Sequence, residues 1–117
     1  MLGSQRDAVP DGAARRGGPL SGTRVVELAD EVGEYAGLLL MGLGAEVVKV
    51  EPPGGSATRR IGPFVDDVPD PERSLFFWQY NRGKRSVCLD LDTDAGRRDL
   101  RRLIGTSDVV LDSTRRG

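Results

Sequence analysis

Thr23-Arg24-Val25-Val26-Glu27-Leu28 and, further on, Glu46-Val47-Val48-Lys49-Val50-Glu51-Pro52-Pro53 frame the stretch on which the fold turns. Both β-branched runs read as buried strands. Between them, Val32 to Leu43 carries apolar residues on more than one face, as a helix covered by a sheet does. Strand, helix and strand in about 30 residues make one βαβ unit, which requires parallel pairing and a right-handed crossover. Gly37, Gly42 and Gly44 interrupt the helix, where an interior glycine costs roughly 1 kcal/mol. They are tolerable if they let the helix approach the sheet, and Gly44 is placed to cap its end. Pro52-Pro53 stops the second strand.

The alternation continues downstream. Pro52 to Arg73 is a Pro/Gly/Asp-rich loop, long enough for such loops to be functional or mobile. Within it, Gly54-Gly55-Ser56-Ala57-Thr58-Arg59-Arg60 lacks the Gly-Lys-Ser/Thr ending of a phosphate loop and reads as flexible and solvated. No Gly-x-Gly-x-x-Gly follows the first strand. Ser74 to Tyr80 reads as a short helix plugging the sheet, with Phe76, Phe77 and Trp78 in the core. Ser86 to Leu91 is a third strand, in which Cys88 is expected to be buried and inert. Thr93 caps the next helix with Asp94 in its first turn, Leu100, Leu103 and Ile104 form its apolar stripe, and Gly105 ends it. Asp90 to Asp94 resembles the start of a calcium loop, but Ala95 and Arg101 stand where Gly and Glu are needed, so no metal site is expected. Asp108 to Leu111 is a fourth strand with no helix returning over it.

The expected fold is therefore α/β and Rossmann-like: a mostly parallel open sheet with flanking helices, incomplete, as one half of a larger interlocked fold. Residues 1–18 read as a disordered tail and residues 19–117 as the truncated α/β domain.

Composition narrows the chemistry. The 117 residues carry 17 Lys plus Arg against 18 Asp plus Glu, a net charge of −1, which lacks the broad basic field of a nucleic-acid binder. Histidine is absent, which excludes imidazole triads, bases and ligands within this chain. A single cysteine cannot close an internal disulfide or build a Cys-rich zinc site, and fits a reducing, cytoplasmic setting. The longest apolar stretch, Tyr35 to Ala45, falls short of the roughly 20 residues of a membrane span, and no secretory signal opens the chain.

Two segments are candidate binding sites. In Asn81-Arg82-Gly83-Lys84-Arg85-Ser86, cations crowd a glycine that lets the backbone turn and offer N–H groups to an anion; a solvated basic turn is the plainer alternative. Asp112-Ser113-Thr114 lies at the carboxyl end of the fourth strand, where open α/β sheets bind ligands, or is a solvated loop.

Taken in order, these pieces resemble the amino-terminal region of the family III CoA-transferases, the CaiB/BaiF type. The resemblance rests on Pro19-Leu20-Ser21-Gly22-Thr23-Arg24-Val25-Val26-Glu27-Leu28, on Leu43-Gly44-Ala45-Glu46-Val47-Val48-Lys49-Val50-Glu51-Pro52-Pro53-Gly54-Gly55, and on Asn81 to Leu91, which matches the family's NRxKRSxxLDL segment. It runs from Pro19 to Gly117. It implies transfer of CoA between carboxylic acids through a catalytic aspartate that forms an acyl-anhydride and then a CoA thioester, splitting one exchange into easier steps. That aspartate would lie beyond Gly117, so no catalytic residue is expected within this chain. Racemisation of a 2-methylacyl-CoA is the alternative within the family; a non-catalytic CoA- or nucleotide-binding module and a partner subunit are the alternatives outside it.

The resemblance also implies CoA and acyl-CoA as ligands, a homodimer in the full-length form, and no nucleic acid, membrane or metal. The CoA contacts it implies are Asn81, Arg82, Gly83, Lys84 and Arg85, with Asp112, Ser113 and Thr114. The sequence departs from the family pattern in three places. Pro52 stands where some members place a cation after the strand glutamate. Glu34 replaces the Gly-Pro of the loop after the first strand, where a carboxylate facing phosphates would repel them. Asp112-Ser113-Thr114-Arg115-Arg116-Gly117 replaces the usual ENFRPG.

Overall fold

The computed structural model describes residues 17–114. Four strands, β1 (Arg24–Leu28), β2 (Glu46–Glu51), β3 (Arg85–Cys88) and β4 (Val109–Asp112), form one sheet in the order β3-β2-β1-β4. Every pairing is parallel, with Val25 opposite Val47 and Val109, and Glu51 opposite Cys88. Three α-helices connect them: α1 (Glu34–Gly42), α2 (Leu75–Asn81) and α3 (Asp94–Gly105). The chain steps in one direction from β1 to β2 to β3, then returns across the sheet to β4. Right-handed crossovers in opposite directions put α1 and α2 on one face and α3 on the other. Val25 and Val47 pack with Leu38 and Met41 of α1, while Val26, Val48 and Val50, pointing the other way, are buried as well.

Element limits differ from the sequence reading for local reasons. Helix α1 starts at Glu34 rather than Val32 because Asp30 Oδ1 takes the Val32 amide in a turn first. Strand β3 stops at Cys88 rather than Leu91 because β2 ends at Glu51, just before Pro52; after Leu89 bonds to Glu51, the chain turns on Asp90 towards α3. Thr93 caps α3 through the Gly96 amide, as expected, and Ser74 caps α2 through the Phe77 amide.

Of the glycines in α1, Gly37 is the one the packing demands. A Cβ there would lie 1.8 Å from Glu27 Oε1, whereas one at Gly42 would meet nothing within 4 Å. Gly44 has φ +108° just beyond the helix, a conformation natural to glycine.

Three burial assignments need correction. Trp78 is 48% exposed, and Phe77 is the residue of its run that fills the core. Cys88 is exposed, because β3 is an edge strand. The 54–60 loop is not solvated throughout: Ser56 and Thr58 are buried, and Ala57–Arg60 forms a short 3-10 turn against the domain. Of the expected tail, residues 1–16 lie outside the described residues; Gly17 and Gly18 rest against Leu43 and Gly44.

Candidate functional site

The order 3-2-1-4 reverses direction between β1 and β4, and the crevice outside the carboxyl ends of the strands at such a reversal is where open α/β sheets hold ligands. A cavity of about 330 Å³ lies along those ends. Leu28, Val50, Ala57, Leu89 and Leu91 supply much of its apolar wall, and Asp30, Asp90, Asp92 and Thr114 its polar points. Its size falls within the range of about 300–1,000 Å³ usual for small-molecule sites. None of its lining residues is cationic.

Around this crevice the loops are tied down. Ser113 Oγ donates to Asp30 Oδ1 at 3.0 Å and accepts the Asp30 amide at 3.2 Å, joining the loop after β1 to that after β4. Thr114 folds back on Asp112 Oδ1 through its amide and hydroxyl. Arg59 grips Glu51 at the end of β2 with two bonds of 2.7 and 2.8 Å, and its guanidinium lies 3.9 Å from the centre of the Phe77 ring. Burial alone would raise the Glu51 carboxyl, but hydrogen bonds from Arg59, Ser86 and the Ser56 amide, with the Arg59 charge, hold it down at about 2.

Beneath the crevice, on the α1 face, four charges are buried together. Lys49 Nζ meets Glu27 Oε2 and Glu34 Oε2 at 2.9 Å each and the Ala29 carbonyl at 3.0 Å. Lys84 Nζ meets Glu27 Oε1 at 2.7 Å, the Glu34 carbonyl at 2.9 Å and Asn81 Oδ1 at 3.0 Å. Thr58 Oγ1 donates to Glu34 Oε2 at 2.7 Å. Each ammonium thus has two hydrogen-bond acceptors and a further carboxylate oxygen at ion-pair distance, which together offset the cost of burying it. Burial pushes the Lys84 ammonium below its ordinary range, against the opposing pull of Glu27.

The sequence-derived site residues therefore divide. Asp112, Ser113 and Thr114 sit at the carboxyl end, with Thr114 on the crevice. Asn81, Arg82, Gly83 and Lys84 precede β3, Arg85 opens it, and none of the five joins them. Asn81 and Lys84 face inward, Gly83 turns at φ +82° against Met41, Arg82 donates to the Gln79 carbonyl, and Arg85 pairs with Glu46 at the start of β2. Glu34 does not face a ligand loop: it is fully buried, turned towards Lys49. Lys49 and Glu27 escaped the sequence reading, although a charge inside each of two paired β-branched runs was a signal for them.

An all-parallel sheet with helices on its faces and a crevice at the carboxyl ends of its strands defines an open α/β domain. The model of CoA-transferase family III matches residues 20–117, and the chain belongs to that family. It is 40% identical over 94 residues to the succinyl-CoA:(R)-benzylsuccinate CoA-transferase subunit BbsE of Thauera aromatica, covering 80% of this chain and 23% of that protein. A probable fatty acyl-CoA transferase of Mycobacterium tuberculosis is 44% identical over 100 residues, covering 85% and 25%. The crystal structure of a CAIB/BAIF family protein from Brucella suis superposes with a TM-score of 0.73 at 42% identity, over 83% of this chain and 26% of that one. The chain spans about a quarter of the length of the relatives it matches. Among the described residues, no helix is long and apolar enough to cross a membrane.

Proposed function

We propose that this chain is the amino-terminal, CoA-binding part of a CoA-transferase that exchanges CoA between carboxylic acids, with the adenosine end of CoA in the carboxyl-end crevice. The carrying observation is the crevice itself: apolar walls for a flat purine, and carboxylates at Asp30, Asp90 and Asp92 as acceptors for an amino group or ribose hydroxyls. The absence of lining cations directs the phosphates out of it. Thr114 and the Asp112–Ser113 turn stay in this proposal as ligand-facing residues. The Asn81–Lys84 turn becomes its support, because the Lys84 ammonium is buried and engaged with Glu27, the Glu34 carbonyl and Asn81, and Arg82 and Arg85 are engaged away from the crevice.

The family's transfer chemistry belongs to the whole protein. By the resemblance, the nucleophilic aspartate is none of those in this chain, so the 117-residue polypeptide by itself binds CoA without turning it over.

The test is calorimetric titration of CoA into the purified chain beside Ala57→Trp, which fills the crevice, and Lys84→Gln. The proposal expects saturable binding to the unaltered chain, abolished by Ala57→Trp, with Lys84→Gln binding in proportion to its folded fraction. CoA binding that ignores Ala57→Trp overturns it.

A further inference from the structure

Lys49 and Thr58 do not line the crevice, yet between them they reach both of its sides. Lys49, inside the sheet, donates to the carbonyl of Ala29, which forms the wall after β1. The same ammonium meets Glu34 Oε2, and that same oxygen accepts from Thr58 Oγ1. Thr58 follows Ser56 and Ala57, which form the wall after β2. Ala29, Lys49, Glu34 and Thr58 are thus one continuous chain of short polar contacts passing beneath the crevice from side to side. Lys49, Glu34 and Thr58 are buried, so water does not compete for the contacts among them.

The wall after β2 has a second, separate tether: Arg59 and the Ser56 amide both hold Glu51. Loss of the Thr58 bond therefore leaves the loop attached and alters only how closely Ala57 approaches Ala29.

We propose that Lys49 and Thr58, acting through Glu34, are positioning residues that set the width of the crevice. The inference rests on the reading of that crevice as the CoA site, and its test separates the two. Thr58→Val keeps the side-chain shape and removes the hydroxyl; Thr58→Ser keeps the hydroxyl. Leu38→Ala, in the core on the same face of the sheet, weakens the fold without touching the chain of contacts. Two readouts are taken: the calorimetric Kd for CoA, and amide hydrogen exchange of segments 28–30 and 56–58 in the protein without CoA.

Thr58→Val is expected to exchange faster in both segments and to bind CoA roughly tenfold more weakly, the factor of about one hydrogen bond. Thr58→Ser is expected to restore both. Leu38→Ala is expected to lower Tm and leave the Kd of the folded protein alone. Glu34→Gln, isosteric and lacking the ion pair, moves both readouts in the same direction as Thr58→Val and serves if that variant does not fold. Unaltered exchange in Thr58→Val, or an equal loss of affinity in Leu38→Ala, overturns the proposal. If the unaltered chain takes up no CoA, the crevice reading fails, and the exchange data alone decide the positioning role.

Discussion

Glu51 shows how a single residue makes the fold sensitive to acid. Its carboxyl is held at about 2, against an ordinary value of 4.5, by groups that exist around it only in the folded chain. A depressed carboxylate contributes stability that is fully present above the unfolded value and is lost as pH falls through the folded one. The contribution of Glu51 should therefore fade from about pH 4.5 down to about pH 2. Glu46, lowered by Arg24 and Arg85 in spite of its burial, adds in the same direction. Thermal melts of the wild type and Glu51→Gln across this range check it: a large Tm difference at neutral pH should shrink on acidification, and a constant gap would contradict it. The neighbouring charges teach a lesson about legibility. Parallel strands covered on both faces read as apolar runs, and that pattern located β1 and β2 correctly. It gave Glu27 and Lys49 no role, because their register across the sheet is a tertiary fact, as is the reach of Lys84 to Glu27 from the turn before β3. The crevice was legible only at its Asp112–Thr114 end, since the loops that complete it meet through topology rather than sequence proximity.

At the level of elements, the sequence pattern foretold all four strands and three helices in order, because periodicity and capping are local. What it missed was exposure, which depends on what lies across an element. Apolar neighbours in sequence point Cys88 and Trp78 inward, yet β3 is an edge and only one side of α2 is covered. Helix α1 offers a sharp comparison between two glycines of one element. Gly37→Ala drives a methyl group into Glu27 Oε1, itself held by buried Lys84, so the helix must lift from the sheet and the ion cluster must open. A loss of about 3–5 kcal/mol, that of a broken buried pair, is expected. Gly42→Ala meets open space and gains up to about 1 kcal/mol from helix propensity. Urea unfolding of the two variants measures both. Equal signs would mean that the close approach at Gly37 does not exist in solution.

For the whole molecule, the decisive feature is that α1 is apolar all round. A helix of that kind is normally enclosed on every side. Leu38 and Met41 face the sheet, while Val32 just before the helix and Tyr35, Leu39 and Leu43 along it form a second stripe at helical spacing that is 46–74% exposed. Strand β4 repeats the pattern, with Val109 and Val110 pointing to opposite faces and both more than two-fifths exposed. Contiguous apolar surface of this sort marks an interaction face, in keeping with a chain that spans a quarter of its relatives' length. Alone in solution, the stripe should drive association with whatever apolar surface is at hand, including a second copy of the chain. Sedimentation velocity over a concentration series should show reversible association, and Leu39→Glu, which puts a charge at the middle of the stripe, should shift the chain to monomer without lowering Tm, since Leu39 makes no part of the core. A wild-type chain that stays monomeric throughout would mean that the outer face of α1 is tolerated by water, and that its apolar character comes from helix propensity rather than from a surface it has to meet.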